Sequence, residues 1–208
     1  MATLDDFLPD ISGVNANGAL EVLRLSDSPV VFTVFTSQIG EVITHYVDLP
    51  NLRAEVRCNT AIESRCLLCD LKHKRTNRAI LPVADVSTND VKVVLMSDAR
   101  SPFSLAPQIK AELRRGGLDK RFLTITRNGH KFVVESIVAK PGQDMCELAI
   151  GQFNNNMTSG LVALESAIPI FPNSELWDVP ELERKAEAMG LVRSDYVNGG
   201  ATLAVSTQ

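Results

Sequence analysis

Aromatic residues are scarce, with 8 Phe, 2 Tyr and 1 Trp in 208 positions. A core must therefore be mostly aliphatic, and few rings are left over as platforms for stacking bases. Histidine (3) and cysteine (4) are rarer still, so a cluster of them in one short span carries information. No run of about 18 apolar residues exists, which excludes a membrane-spanning helix. The start, Met1-Ala2-Thr3-Leu4-Asp5-Asp6, has neither the basic residues nor the apolar stretch of a secretory signal. In an unexported chain the sequon Asn156-Met157-Thr158 stays unmodified. The phosphate loop GxxxxGK[ST], the dinucleotide fingerprint GxGxxG and the nucleophile elbow GxSxG are all missing. The reading is a cytoplasmic protein with no membrane partner and no enzymatic activity.

The composition is that of a globular chain, 45% hydrophobic and 22% charged. Its net charge of −4 hides an asymmetry. The stretch from Arg53 to Lys131 holds 16 of the 21 basic residues and 8 of the 25 acidic ones, a balance of +8; the rest carries −12. A basic middle suits a polyanion, or is simply a solvated face.

Residues 1–19 read as an acidic arm. Strands follow at Leu20–Leu25, Val30–Thr36 and Glu41–Val47, by β-branched and aromatic content. Residues 50–78 lose periodicity. Strands resume at Ala79–Val86, where Pro82 calls for a bulge or an edge, and at Val91–Met96. Leu105, Ile109 and Leu113 stripe a helix over Ser104–Arg115 that Gly116-Gly117 stops. Asn128-Gly129 predicts a two-residue hairpin turn between Phe122–Thr126 and Lys131–Val138. Asp178-Val179-Pro180-Glu181 resembles a capping box opening a helix along Leu182, Ala186 and Met189, which Gly190 ends. The fold class is mainly β with helices (α+β). The expected architecture is an OB-type barrel with an inserted zinc-binding subdomain and a helical C-terminal segment; a β-sandwich is the alternative. The domain division is 1–19 (arm), 20–170 (core, with the zinc subdomain at 45–78) and 171–208 (C-terminal helix and tail).

Three cysteines and a histidine follow the pattern H-x12-C-x7-C-x2-C: His45, Cys58, Cys66 and Cys69. A CxxC turn can aim two thiolates at one cation, and zinc takes four N/S ligands in a tetrahedron. Arg57 and Arg65 adjoin cysteines and favour thiolates. The surrounding segment has few large apolar residues, so a metal would stabilise it directly. A disulfide is a poor fit to an unexported chain, and a redox CxxC lacks its thioredoxin-like context. Spacing does not choose the fourth ligand, because His73 follows Cys69 by four positions. The catalytic deaminase pattern, H-x-E with P-C-x-x-C, is absent. Cys146 reads as a core thiol and His130 as a turn residue.

The CxxC leads into Lys72-His73-Lys74-Arg75-Thr76-Asn77-Arg78 and then the strand at Ala79. Tyr46, beside His45, is the best stacking candidate; Phe32, Phe35, Phe103, Phe122, Phe132 and Phe153 are expected mainly in the core. The set His45, Cys58, Cys66, Cys69, followed by a basic run and a strand, resembles the zinc motif of the T4-type phage single-stranded DNA-binding (helix-destabilising) proteins. Ser166-Ala167-Ile168-Pro169 is similar to another segment of that family. The resemblance spans roughly residues 30–170.

The resemblance implies an OB-fold with one structural Zn2+, with His45 rather than His73 as ligand. It also implies a basic cleft between barrel and zinc subdomain that binds single-stranded DNA without sequence preference. The setting would be DNA replication, recombination and repair in a phage-infected host cytoplasm, with replication or recombination proteins as further partners. Candidate DNA contacts are Tyr46, Arg53, Arg57, Lys72, Lys74, Arg75, Arg78, Arg114, Arg115, Arg121 and Arg127, with Lys120 beside them. The sequence departs from the family in four places. The Cys58–Cys66 gap is shorter, acidic Met1–Asn17 replaces a basic arm, Asn77-Arg78 replaces an aromatic pair after the basic run, and Val197–Gln208 lacks an acidic tail; self-association is left open. The rival reading is a zinc-stabilised protein–protein adaptor or transcription regulator that binds no nucleic acid.

Overall fold

The computed structural model describes residues 20–25, 28–49, 52–97, 104–116, 121–129, 131–140 and 144–197. The expected arm at 1–19 and the tail beyond 197 lie outside them. The strands are β1 (Val30–Thr33), β2 (Gly40–Leu49), β3 (Leu52–Arg57), β4 (Arg75–Asp85), β5 (Asp90–Ser97), β6 (Arg121–Asn128) and β7 (Lys131–Val138). The helices are α1 (Leu67–Asp70), α2 (Leu105–Gly116), α3 (Glu147–Thr158), α4 (Asn173–Trp177), α5 (Pro180–Ala188) and α6 (Ser194–Val197). The fold is mixed α+β, with a seven-stranded antiparallel sheet in the order β3-β2-β4-β1-β6-β7 and β5 paired to β4. No helix among the described residues is long and apolar enough to cross a membrane. The chain divides into two compact units, one made of residues up to 41 with 78–167, the other of 42–77 with 168 onward.

In the first unit β6 returns through α2 to lie beside β1, giving the order β6-β1-β4-β5. That is a Greek key, in which a fourth strand comes back beside the first. β7 extends it as a hairpin partner of β6. The expected barrel is not closed: among the described residues no ladder joins β5 to β7. The core is aliphatic, with Phe32, Val34, Leu81, Val83, Val94, Met96, Leu123 and Ile125 buried against Leu105 and Ile109 of α2. At about 1.5–3 kcal/mol per large side chain removed from water, burial alone can hold this unit.

Three local expectations change. Leu20–Leu25 forms isolated bridges, Val22 pairing with Val93, instead of a strand. Pro82 pairs with Val93 two positions short of the Thr33–Ala84 pair, so β1 does not need its missing donor. The β6–β7 ladder ends at Asn128 opposite Lys131, so Asn128 belongs to the ladder and the turn begins at Gly129 instead of at Asn128-Gly129. The pairing of buried Ile125 with Val134 fixes this register, since a one-residue slip would turn both out of the core. Gly129, at φ +59°, supplies the left-handed first position that such turns need. His130 lies outside the described residues.

The second unit pairs the β2–β3 hairpin and α1 with the three C-terminal helices. Val47, Val56, Leu67, Leu68 and Leu71 pack with Leu176, Trp177, Leu182 and Ala186. The domain division by sequence set 171–208 apart; here the described residues from 168 join 42–77 in one compact unit. The expected helix along Leu182 and Ala186 is α5, but without the expected capping box, and the short helices α4 and α6 accompany it. Asp178 closes α4, and α5 opens on Pro180 behind Val179, with no side-chain cap. Gly190, at φ +72°, follows the end of α5.

Candidate metal centre

Strand alternation decides where the histidine points. Along β2, Thr44, Tyr46 and Asp48 share one face and His45 and Val47 the other. His45 and Val47 are fully buried, whereas Tyr46 is 53% exposed. Cys58 follows β3, whose register sets Val56 opposite His45. Cys66 precedes the single-turn helix α1, which carries Cys69. The one-turn spacing returns the two sulfurs of the CxxC to the same side.

The four ligand atoms of His45, Cys58, Cys66 and Cys69 all lie within 4.8 Å of one another. His45 Nε2 is 3.6 Å from Cys66 Sγ and 3.4 Å from Cys69 Sγ. Cys58 Sγ is 3.6 Å from Cys69 Sγ. Zinc bonds of about 2.3 Å to sulfur and 2.0–2.1 Å to nitrogen give tetrahedral edges of about 3.8 Å between sulfurs and about 3.6 Å from sulfur to nitrogen. These three edges come within about 0.2 Å of that polyhedron, so the donor set could hold one tetrahedral ion.

Its electrostatics call for a cation. Burial, with the neighbouring Cys58 and Cys66, pushes the Cys69 thiol up to about 12. Cys66 is raised too, first by burial. Burial also opposes ionisation of Cys58, but hydrogen bonds from the Thr60 hydroxyl and backbone outweigh it and lower its pKa. Three thiolates therefore cannot coexist here unaided, and a divalent ion reverses the balance. Burial lowers the His45 pKa and so keeps the ring neutral, as a ligand must be, against backbone groups at Lys74 and His73 that favour a proton. Buried Nδ1 itself has no well-formed hydrogen bond.

His73 is not in the cluster. Its ring is near the backbone of Tyr46, and its pKa is lowered first by burial and then by Lys185. Cys146 lies in the other unit, buried, its thiol raised to about 11 first by burial. That makes it an unreactive core thiol.

No family model, curated protein or solved structure matches the chain. The functional reading therefore rests on the residues themselves.

Six of the candidate nucleic-acid contacts are in the unit that carries the cage: Tyr46, Arg53, Arg57, Lys72, Lys74 and Arg75. Tyr46 Oη accepts a hydrogen bond from Arg53 Nε at 3.1 Å, and Arg53 also pairs with Asp48 at 3.3 Å. On the other side β2 neighbours β4, where the Thr44 hydroxyl lies 3.3 Å from the Thr76 carbonyl. The backbone of Lys74 is near the His45 ring. Lys72, Lys74 and Arg75 are exposed, Lys72 in a left-handed turn at φ +62°. Arg57 is half-buried with an unpartnered Nε.

The remaining five candidates are in the first unit. Arg78 stands on β4 opposite Ser97. Arg115 pairs with Glu112 at 2.6 Å, and Arg114 beside it is exposed. Arg127 Nε donates to the Gly129 carbonyl at 2.9 Å. Arg121 opens β6, and Lys120 lies outside the described residues, as does Phe103. Phe32, Phe122 and Phe153 are buried and Phe35 and Phe132 half-buried, as core residues.

The sequence reading missed β3, although Leu52, Ala54 and Val56 alternate with Arg53, Glu55 and Arg57. It also missed Asn59 and Asn173, both buried beside the cage. Nothing local marks that pair, since 114 positions separate them.

Proposed function

We propose that the chain is a non-enzymatic protein that binds single-stranded nucleic acid, DNA foremost, without sequence preference. One structural zinc ion held by His45, Cys58, Cys66 and Cys69 would staple its second unit. Four protein ligands leave no open coordination position, so the ion supplies rigidity instead of an activated water. The observation that carries the reading is the outer face of β2. Tyr46 stands exposed directly beside a caged ligand, bonded to Arg53 on one neighbouring strand, with Lys74 and Arg75 on the run along its other side. An exposed ring flanked by cations on a stiff support is what sequence-tolerant stacking and phosphate attraction require.

The Greek key with an added fifth strand supports an OB-type barrel of the partly open kind. The resemblance to phage helix-destabilising proteins agrees with these features and extends the proposal to replication, recombination and repair in a host cytoplasm.

The test is a fluorescence titration with single-stranded and duplex oligonucleotides at two salt concentrations. Single strands should bind tighter, with little dependence on base order. Lys74→Ala with Arg75→Ala should flatten the slope of log K against log salt by about 1.4, since each phosphate contact on a single strand contributes about 0.7. Tyr46→Ala should weaken binding by about 1–3 kcal/mol while zinc content stays at one per chain. Equal affinity for duplex and single strands would favour the adaptor reading.

A further inference from the structure

The cage is formed by residues 45–69, yet its two ligand loops are tied together by a side chain more than a hundred positions away. Asn173, at the start of α4, is 1% exposed. Its Oδ1 accepts from the backbone N–H of Leu67 and from Asn59 Nδ2, both at 2.9 Å. Its Nδ2 donates to the Arg65 carbonyl at 3.0 Å. Arg65 and Leu67 are the two neighbours of Cys66, and Asn59 is the neighbour of Cys58. Its backbone N–H meets the Glu63 carboxylate at 3.3 Å, in the same loop.

We infer that Asn173 is a positioning residue of the metal centre, fixing the Cys58 and Cys66 loops at the spacing an ion needs. The inference rests on the metal reading above. Only a primary amide of this length meets the demand. The bond to Arg65 requires a donor, which a carboxylate lacks; the bonds to Leu67 and Asn59 require an acceptor, which a lysine or arginine lacks. Glutamine would carry the same groups one methylene too far. The two Cys66 neighbours are held from opposite ends of one rigid amide plane, so the backbone that carries the sulfur cannot rotate without breaking a buried bond. Partners behind a metal ligand commonly govern affinity by 10–100-fold.

A second polar contact joins the same segments. The Tyr196 hydroxyl accepts from Arg65 at 2.9 Å and donates to Asp70 at 2.6 Å. These groups are side chains at the rim, and they leave the backbone on either side of Cys66 untouched. Tyr196 therefore serves docking, and Asn173 the ligands.

The test uses the full chain loaded with zinc or cobalt(II). Asn173→Ala should lower zinc affinity in chelator competition by roughly 10–100-fold and shift the cobalt(II) absorption bands, because the ligand field changes. Leu176→Ala is the control. It empties a buried apolar position on the same helix, so it should destabilise the unit while leaving the cobalt(II) spectrum as in the parent. If Asn173→Ala does not fold, Asn59→Ala decides. It removes the side-chain bond from Asn173 to the neighbour of Cys58 and should still shift the cobalt(II) bands, with a several-fold loss of affinity. An unchanged spectrum and affinity in the folded Asn variants, or an equal metal loss in Leu176→Ala, would overturn the positioning role alone. A parent chain that takes up neither metal overturns the metal reading along with it.

Discussion

The two units of this chain solve the same problem by different means. The first buries Phe32, Val34, Leu81, Val83, Val94, Leu123 and Ile125 in an aliphatic core that needs no ion. The second buries Cys58, Cys66, His45, Asn59 and Asn173 among fewer aliphatics. A polar or ionisable group taken from water costs free energy unless each of its partners is met. The second unit therefore depends on a closed set of specific contacts, any one of which can fail, whereas the first depends on total buried area. Sequence variation should be tolerated in the first as long as volume is kept, and punished in the second wherever a partner is lost.

Removing the proposed metal should have the largest effect. Chelation, or Cys66→Ser or Cys69→Ser, should release the zinc and open residues 42–77 together with 168–197, because metal binding contributes about 10–16 kcal/mol in small structural zinc sites. Hydrogen exchange should then report fast amides in both segments and slow ones in β4, β5 and β6. Uniform loss of protection would show that the units do not stand apart. His45→Ala should behave like the cysteine variants and His73→Ala should keep its metal.

Next in size is the reciprocal experiment. Phe32 is wholly buried in the first unit, and Phe32→Ala should cost that unit about 3–5 kcal/mol through lost transfer energy and a cavity. Denaturant midpoints should fall for the first unit, with one zinc still bound per chain. Metal loss in this variant would count against the separation.

The same contrast explains what could be read before the structure. β5, β6, β7 and α2 were legible because burial imprints a period on the chain: alternate in the strands, every fourth in Leu105, Ile109 and Leu113. The ligand cage was legible because Cys and His have few other reasons to cluster. β3 was hidden because every second residue, Arg53, Glu55 and Arg57, is charged and the Ala54 and Val56 between them are small, so its alternation reads as a polar loop. The start of β4 was hidden similarly, since Arg75, Thr76 and Asn77 offer no apolar face. The joining of 168–197 to the cage left no local trace, because the amide of Asn173 and the ring of Trp177 acquire partners only through tertiary packing.

A third prediction sharpens the claim that the first unit relies on area. It contains a buried charge pair, Asp85 with Lys92 at 2.7 Å. Burial opposes the Asp85 carboxylate, but Lys92 and the Ser87 hydroxyl and backbone outweigh it and hold its pKa below the ordinary 3.8. A depressed folded pKa means stability that is present above the unfolded value and is lost as pH falls through the folded one. Acidification below about pH 4 should therefore weaken this unit. Neighbouring Asp90, raised chiefly by burial, works in the opposite direction. Asp85→Asn should remove the Asp85 part of the acid dependence, and Asp85→Ala should cost about 3 kcal/mol at neutral pH by stranding Lys92. Unfolding curves at pH 3 and pH 7 that shift equally in parent and Asp85→Asn would refute the linkage.

The smallest expected effect falls on the open end of the first unit. Among the described residues β7 ends the sheet order, and the outer backbone groups of an end strand need partners. Gln108 of α2 covers part of that edge: its Nε2 donates to the Phe132 carbonyl at 2.7 Å, and its Oε1 accepts from the Val134 N–H at 3.1 Å. These are the two groups that the N–H and C=O of one residue on a parallel neighbour would fill. A side-chain amide thus stands where a closing strand of a barrel would lie. Gln108→Leu keeps the helix and the volume but strands both groups, and should cost about 1–2 kcal/mol. It should also uncover a pairing edge beside exposed Val133 and Ile137, so sedimentation should show more association than in the parent. Gln108→Glu retains the acceptor and loses the donor, and should fall between the two at neutral pH. A monomeric, fully stable Gln108→Leu would mean that the edge is protected by something other than this amide.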